Sequence, residues 1–471
     1  MVFTSALFLF AFLPLSLILY RLVPSRNGKN ILLAAASLVF YAFGGLGQVP
    51  GLLLAALWNY VLGLSLGRHN PHRRRLCAVG VGGNLALLGV YKYLTFLLGI
   101  AGLPSPLAGT ALPLGISFFT FHGISYLVDI THDKAPAERR FDRFFLYLAF
   151  FPRLLAGPIL RWQDAAPTLA SHGADWEDTA AGLRRFVRGM VKKLILSEGA
   201  AAVANGVFSL GPESMGSALA WWGAVAYCLQ IFFDFSGYSD MAIGLGRCFG
   251  FRFPENFDYP YTSGTVTEFW RRWHMTLNRW FIDYLYIPLG GSRGSERRSA
   301  RNRLIVFFFT GLWHGAGWTF ILWGLWHGLF VALEGRFKDA MARLRQHWGW
   351  RLAFRVYTLL VVILGFVMFR AETLSQGLLV LGRMFSFTSG GAAAKMAAEE
   401  LLGAHRLFAM GLGIVFCLPI APRIRQWFAG GGARRQLAGE ILGDALALAG
   451  LVLAVLAMSA GGFSPFIYQQ F

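Results

Sequence analysis

Long apolar runs, broken at short intervals by polar or basic residues, set the pattern of this chain. Measured against the ~20 apolar residues a helix needs to cross a bilayer, candidate spans fall at about 2–20, 30–46, 50–67, 76–100, 111–130, 184–209, 217–246, 304–330, 353–370, 404–421 and 441–463. The pattern predicts an all-α polytopic membrane protein of about eleven transmembrane helices, organised as a single membrane domain over residues 1–471. The first span has no basic segment before it and is followed by Arg21, Arg26 and Lys29, so it reads as a retained anchor with its N-terminus outside.

Two stretches break the pattern. "FDRFFLYLAFFPRLLAGPILRW" (141–162) is interrupted by Pro152, Gly157 and Pro158. Irregular backbone at membrane depth is tolerated only where protein or a watery cavity satisfies it, so a re-entrant segment is expected there. "ENFDYPYTSGTVTEFWRRWHMTLNRWFIDYLYIPLGG" (255–291) mixes aromatics with Arg271, Arg272, Arg279 and Asp283, and predicts an amphipathic, interfacial or half-inserted helix.

Composition agrees with the pattern: 56% of residues are hydrophobic and 14% charged, with a mean hydropathy of +0.51, where soluble domains carry roughly a quarter charged residues. The net charge of +19 sits in short tracts between spans, at 67–75, 291–303 and 336–355. That distribution marks cytoplasmic loops and argues against a nucleic-acid partner. Basic tracts flank the 304–330 segment on both sides, which conflicts with a single crossing and suggests that the segment bends back. Four cysteines in apolar surroundings show no disulfide or zinc spacing.

Within 307–328, "FFFTGLWHGAGWTFILWGLWHG", His314 and His327 each sit in a Leu-Trp-His-Gly tetrapeptide. A neutral imidazole can accept a proton without first bringing a full charge into the bilayer, and an ionisable group at this depth is a functional hypothesis by default. The two histidines are thirteen residues apart, ~220° on a helical wheel, so an unbroken helix cannot present both on one face. His314, beside Gly315 and Gly317, is the favoured base, and His327 is expected to be a hydrogen-bonded histidine near a helix end. In "EFWRRWHMTLNRW" a helix would place Trp270, His274 and Asn278 on one face. Asp234 and Asp240, with Ser236, Tyr238 and Ser239 between them, point to pairing with arginines of 271–279 or to a polar pocket. Walker A, GxSxG and HExxH signatures are missing from the sequence.

"QIFFDFSGYSDMAIGLGRCFGFRFPENF" (230–257), "TEFWRRWHMTLNRWFIDYLYIPLGGSRG" (267–294) and "GLWHGAGWTFILWGLWHG" (311–328) resemble the membrane-bound O-acyltransferase superfamily, in its bacterial alginate O-acetyltransferase branch. "LPLGISFFTFHGISYLVDI" (112–130) and "FFPRLLAGPILRW" (150–162) fit the same branch, with a catalytic core over 110–330. His122 and Arg153 depart from the pattern, standing where glutamine is expected, and bear on acceptor preference.

The resemblance implies an inner-membrane, multi-pass enzyme whose helices surround a through-membrane cavity. It would move an acetyl group from a cytoplasmic thioester, acetyl-coenzyme A or an acyl carrier, to hydroxyls of an exported polysaccharide. A periplasmic partner with its own serine nucleophile would deliver the group, and no bound cofactor is called for. His314 matches the family's near-invariant histidine and His274 a second one. His314 would serve as base, and His274 or Asn278 would polarise the thioester. Asn278, Trp273, Trp313, Asp234 and Tyr238 are the candidates for substrate contact. Peptidoglycan O-acetylation and D-alanyl transfer to teichoic acid-type polymers are the alternative reactions, and a transporter or channel is the alternative outside enzymes.

Overall fold

Breaks in the hydrophobic pattern become breaks in helices in the computed structural model, which describes residues 1–67, 70–110, 112–461 and 466–467. Part of the basic tract at 67–75, Ala111 at the start of one expected span and the end of the span at 441–463 lie outside the described residues. Among the described residues the chain is helical, with no β structure beyond an isolated bridge between Phe257 and Trp273. It divides into two compact units, residues 1–186 with 238–255, and residues 187–237 with 256–467.

The count of eleven crossing helices is not reproduced. Five described helices are long and apolar enough to cross a membrane, at Leu46–Ser65, Arg73–Ile100, Ser217–Cys248, Trp348–Arg370 and Ala433–Ala460. A bent pair, Ala404–Phe416 with Ile420–Ala429, brings the number to six if it is one span. Hydropathy registers apolar residues but not where helices end. The candidates at 30–46 and 111–130 correspond to helices Arg26–Ala42 and Ile116–Thr131, of 17 and 16 residues, and the one at 304–330 is divided between two helices.

In the first unit, the helix Ile116–Thr131 is buried along almost its whole length. Two of its neighbours, Val49–Ser65 and Arg73–Leu88, are tied together by a reciprocal amide pair. Asn59 Nδ2 donates to Asn84 Oδ1 at 3.0 Å, and Asn84 Nδ2 donates to Asn59 Oδ1 at 2.7 Å. Each amide thereby satisfies groups that would otherwise be costly to bury. Residues 150–160 are irregular and buried throughout, in keeping with the proline and glycine pattern. Their backbone finds protein partners, among them Ser37 Oγ, which accepts from Phe151 N at 3.1 Å.

In the second unit, the 304–330 stretch does bend back. Helix Glu296–His314 begins at Ser295, whose hydroxyl caps Arg298 N. It ends where Gly315 and Gly317 take extended conformations, and helix Trp318–Arg336 returns beside it. Gly311 and Gly324 let the two backbones meet, since a Cβ on Gly311 would press into the carbonyl of Phe320 and one on Gly324 into that of Phe307. The expected amphipathic helix around 267–280 is instead two short helices, Val266–Arg272 and Met275–Phe281. Thr265 Oγ1 caps the first by accepting from Glu268 N at 2.9 Å, while Glu268 Oε2 accepts from Gly264 N at 3.1 Å.

Candidate active site

His274 occupies the break between those two short helices, with φ 44° and ψ 52°. A non-glycine residue in the left-handed region costs on the order of 1–3 kcal/mol and persists only where its surroundings impose it. Here the imposing residue is Asn256. Its carbonyl accepts from Met275 N at 3.0 Å, and its Oδ1 faces His274 Nδ1 at 3.1 Å, Thr276 N at 3.3 Å and Thr276 Oγ1 at 2.9 Å. Because the backbone N–H of Thr276 can only donate, the Asn256 atom at this point is the carbonyl oxygen. His274 must then donate to it from Nδ1, which fixes the neutral tautomer and leaves the lone pair on Nε2. The expected face of Trp270, His274 and Asn278 does not form, because the helix breaks between them. Asn278 closes the break instead, its Nδ2 donating to Trp270 O at 3.0 Å.

His314 lies at the C-terminal end of its helix, not in mid-helix, and is 2% exposed, against 1% for His274. Trp313 joins them: its ring centroid is 4.9 Å from that of His314 and 6.2 Å from that of His274. The two imidazoles are thus no further apart than the sum of those distances. Phe235 packs edge-on against His274 at 4.6 Å, while Trp323 and Phe369 pack on His314 at 5.0 and 5.1 Å. Rings therefore enclose both histidines, which are buried among the described residues.

His327 is not the hydrogen-bonded residue near a helix end that the sequence suggested. It is fully buried within Trp318–Arg336, and neither ring nitrogen has a hydrogen-bond partner among the described residues. Its ring meets Trp270 at 5.2 Å and Trp323 at 5.3 Å, and the indole N–H groups of both tryptophans are likewise buried without partners among the described residues. The break at 315–317 removes the helical-wheel obstacle, since Trp323 touches both His314 and His327.

The other candidates fall as follows. Trp273 stacks on Phe269 at 5.5 Å and forms the bridge to Phe257. Asp234 pairs with Lys193 Nζ at 2.7 Å, a lysine that also meets Glu198 at 2.8 Å, and Asp234 Oδ2 accepts from Ile467 N at 2.8 Å. In the first unit, Tyr238 stacks on Phe3 at 5.0 Å, and Asp240 accepts from Arg185 Nε at 2.9 Å. Neither aspartate pairs with an arginine of 271–279 in the described contacts, so that expectation is corrected: the cations come from the 176–197 region. Asn256 was not singled out by the sequence, although an amide beside the histidine motif, in "PENF", was the available signal. Trp323 was missed as well, lying inside an apolar run that reads as lipid-facing.

The membrane-bound O-acyltransferase family matches residues 116–373, a range that contains all three histidines. The chain belongs to this family, within its alginate O-acetylase branch, and is an O-acyltransferase. It is 38% identical to the probable alginate O-acetylase AlgI of Azotobacter vinelandii, over the full length of both chains. It is 35% identical to a peptidoglycan O-acetyltransferase of Helicobacter pylori, covering 82% of this chain and 80% of that one. Identity to the teichoic acid D-alanyltransferase of Bacillus subtilis is 27%, over 54% of this chain and 65% of that protein.

Proposed function

We infer that the chain serves O-acetylation of an exported polysaccharide, of the alginate kind, by moving an acetyl group from a cytoplasmic thioester across the bacterial inner membrane to the hydroxyl of a periplasmic partner. The observation that carries the reading is the pair of buried imidazoles sharing Trp313, one of them locked by Asn256 into the Nδ1–H tautomer. Such a pair supplies basic nitrogen inside a water-poor site, where a hydroxyl needs a base and a thioester needs protection from hydrolysis.

In this mechanism His314 takes the proton of the acceptor hydroxyl as its oxygen attacks the thioester carbonyl. The tetrahedral oxyanion then collapses, the carbon–sulfur bond breaks, and the departing thiolate receives the proton from His314. His274, with its lone pair on Nε2, accepts the single O–H of the hydroxyl as it arrives and releases it to His314 as the oxygen turns to attack. A neutral imidazole in that tautomer has no Nε2 proton to give an oxyanion, and Asn278 already donates to Trp270 O. Asn278 keeps a second N–H, and an indole N–H is the other donor at hand: that of Trp323, buried against His314 without a hydrogen-bond partner among the described residues, takes the polarising role in this reading.

Acetyl-coenzyme A or an acyl carrier is the donor. A polysaccharide is too large and polar to enter the ring-lined site, so a periplasmic protein with its own nucleophilic hydroxyl collects the acetyl group and passes it on. Peptidoglycan is the second acceptor to test, given the similarity to the Helicobacter enzyme. Purified protein in nanodiscs, given acetyl-coenzyme A and the acceptor or partner, should release free thiol. Absence of release with every thioester donor and acceptor tried would refute the reading.

A further inference from the structure

The first unit contains a buried cation that acyl transfer does not use. Arg153 lies in the irregular 150–160 segment and is 2% exposed. Its Nη1 donates to His122 Nε2 at 2.7 Å and its Nη2 to the carbonyl of Tyr147. Its Nε has no hydrogen-bond partner, and no carboxylate pairs with it among the described residues. His122, accepting at Nε2, is neutral, so this neighbour leaves the guanidinium charge uncompensated. A buried charge without a counter-ion costs several kcal/mol. The same guanidinium lines a pocket whose other walls include Tyr147, Phe150, Leu169, Phe251 and Phe253. Its carbon lies 5.1 Å from the Tyr147 ring and 5.9 Å from that of Phe253, so aromatic faces pack against the planar guanidinium. At the rim, Arg252 is largely exposed and already paired with Asp178. His122 and Arg153, set 31 residues apart in the chain, are in direct contact in the fold.

We propose that this pocket is a binding site for a single oxyanion, a carboxylate or phosphate group carried on an apolar body, with Arg153 as its anchor and His122 as the residue that positions the guanidinium. The planar fork suits either oxyanion. The aromatic walls suit the apolar body and exclude a hydrated sugar. The source is a soluble acid or an anionic lipid headgroup, and the test separates the two.

Full-length protein in neutral detergent is unfolded thermally with increasing acetate or inorganic phosphate, ionic strength being held constant with sodium chloride. In a parallel arm it is reconstituted in phosphatidylcholine nanodiscs with or without phosphatidylglycerol. The site predicts a saturable rise in midpoint with at least one of the three probes, and loss of that rise in Arg153→Gln. A rise with phosphatidylglycerol alone assigns the lipid, and one with acetate or phosphate assigns the soluble acid. Should Arg153→Gln fail to fold, Thr168→Glu serves, since Thr168 also lines the pocket. A tethered carboxylate there should raise the midpoint without added anion and abolish the response. No response of the wild type to any probe, or a response surviving in Arg153→Gln and Thr168→Glu, would overturn the proposal. Non-saturating stabilisation shared by all variants is the general salt effect and counts against the site.

Discussion

Replacing Asn256 by alanine removes the oxygen on which His274, Thr276 N and Thr276 Oγ1 converge. Each such bond contributes about 0.5–1.5 kcal/mol net, so Asn256→Ala should cost about 2–4 kcal/mol of stability. The catalytic effect is separable. A hydrogen bond to a neutral imidazole is worth about 0.5–1.5 kcal/mol, so losing the one that sets the His274 tautomer should slow transfer about 2- to 10-fold. Asn256→Asp keeps an accepting oxygen at the same place, and should recover most of the stability while moving the pH profile of transfer towards higher pH, because a carboxylate favours the imidazolium. The assay is thiol release from acetyl-coenzyme A by protein in nanodiscs, below the unfolding midpoint of each variant. Wild-type turnover in a folded Asn256→Ala protein would refute the account of His274, because the tautomer lock would then be irrelevant to the chemistry.

Three further outcomes follow from named contacts. His327→Ala should lower stability by about 2–4 kcal/mol through the cavity it leaves among rings, with transfer by the folded fraction within several-fold of wild type; loss of turnover without loss of stability would make His327 part of the chemistry. Gly311→Val should disrupt the hairpin, since its side chain meets the carbonyl of Phe320, so thermal unfolding should show a drop of several kcal/mol, on the order seen for overpacked cores, together with lost activity. His172, buried between Tyr20 and Asn30 at 3.0 and 2.6 Å, has its pKa pushed down to about 4 by burial, opposed by the nearby Phe249 carbonyl and assisted by Arg26, Lys29 and Arg143. Its neutral form is the folded one, so stability should be full above the ordinary histidine range and fall by up to about 3 kcal/mol as pH drops from about 6.5 to 4; a His172→Asn variant should lose that slope in a melting-against-pH series.

The hairpin at 296–336 was legible because two independent signals agreed: basic residues on both flanks and glycines at 315 and 317. The irregular segment at 150–160 was legible for the same kind of reason, prolines and a glycine recurring every few residues. The break at His274 was not legible. Residues 267–280 contain neither glycine nor proline and carry helical periodicity, and what stops the helix is Asn256 together with the Phe257–Trp273 bridge, a tertiary constraint no local pattern encodes. The partners of Asp234 and Asp240 escaped for a similar reason: charge complementarity pointed to nearby arginines, whereas packing brought Lys193 and Arg185. The expected count of eleven spans rested on hydropathy alone, which does not register that helices such as Arg26–Ala42 and Ile116–Thr131 end short of a full crossing or that 304–330 turns back.

His314 as the proton acceptor in acyl transfer is tested most directly by a single-turnover experiment. Purified wild type and His314→Ala, matched for unfolding midpoint in nanodiscs, receive radiolabelled acetyl-coenzyme A and the acceptor, and label on the acceptor is followed in time. The account expects acceptor labelling by wild type and a loss of about 100-fold or more in His314→Ala, the contribution general base catalysis ordinarily makes. Equal labelling by the two proteins would contradict it.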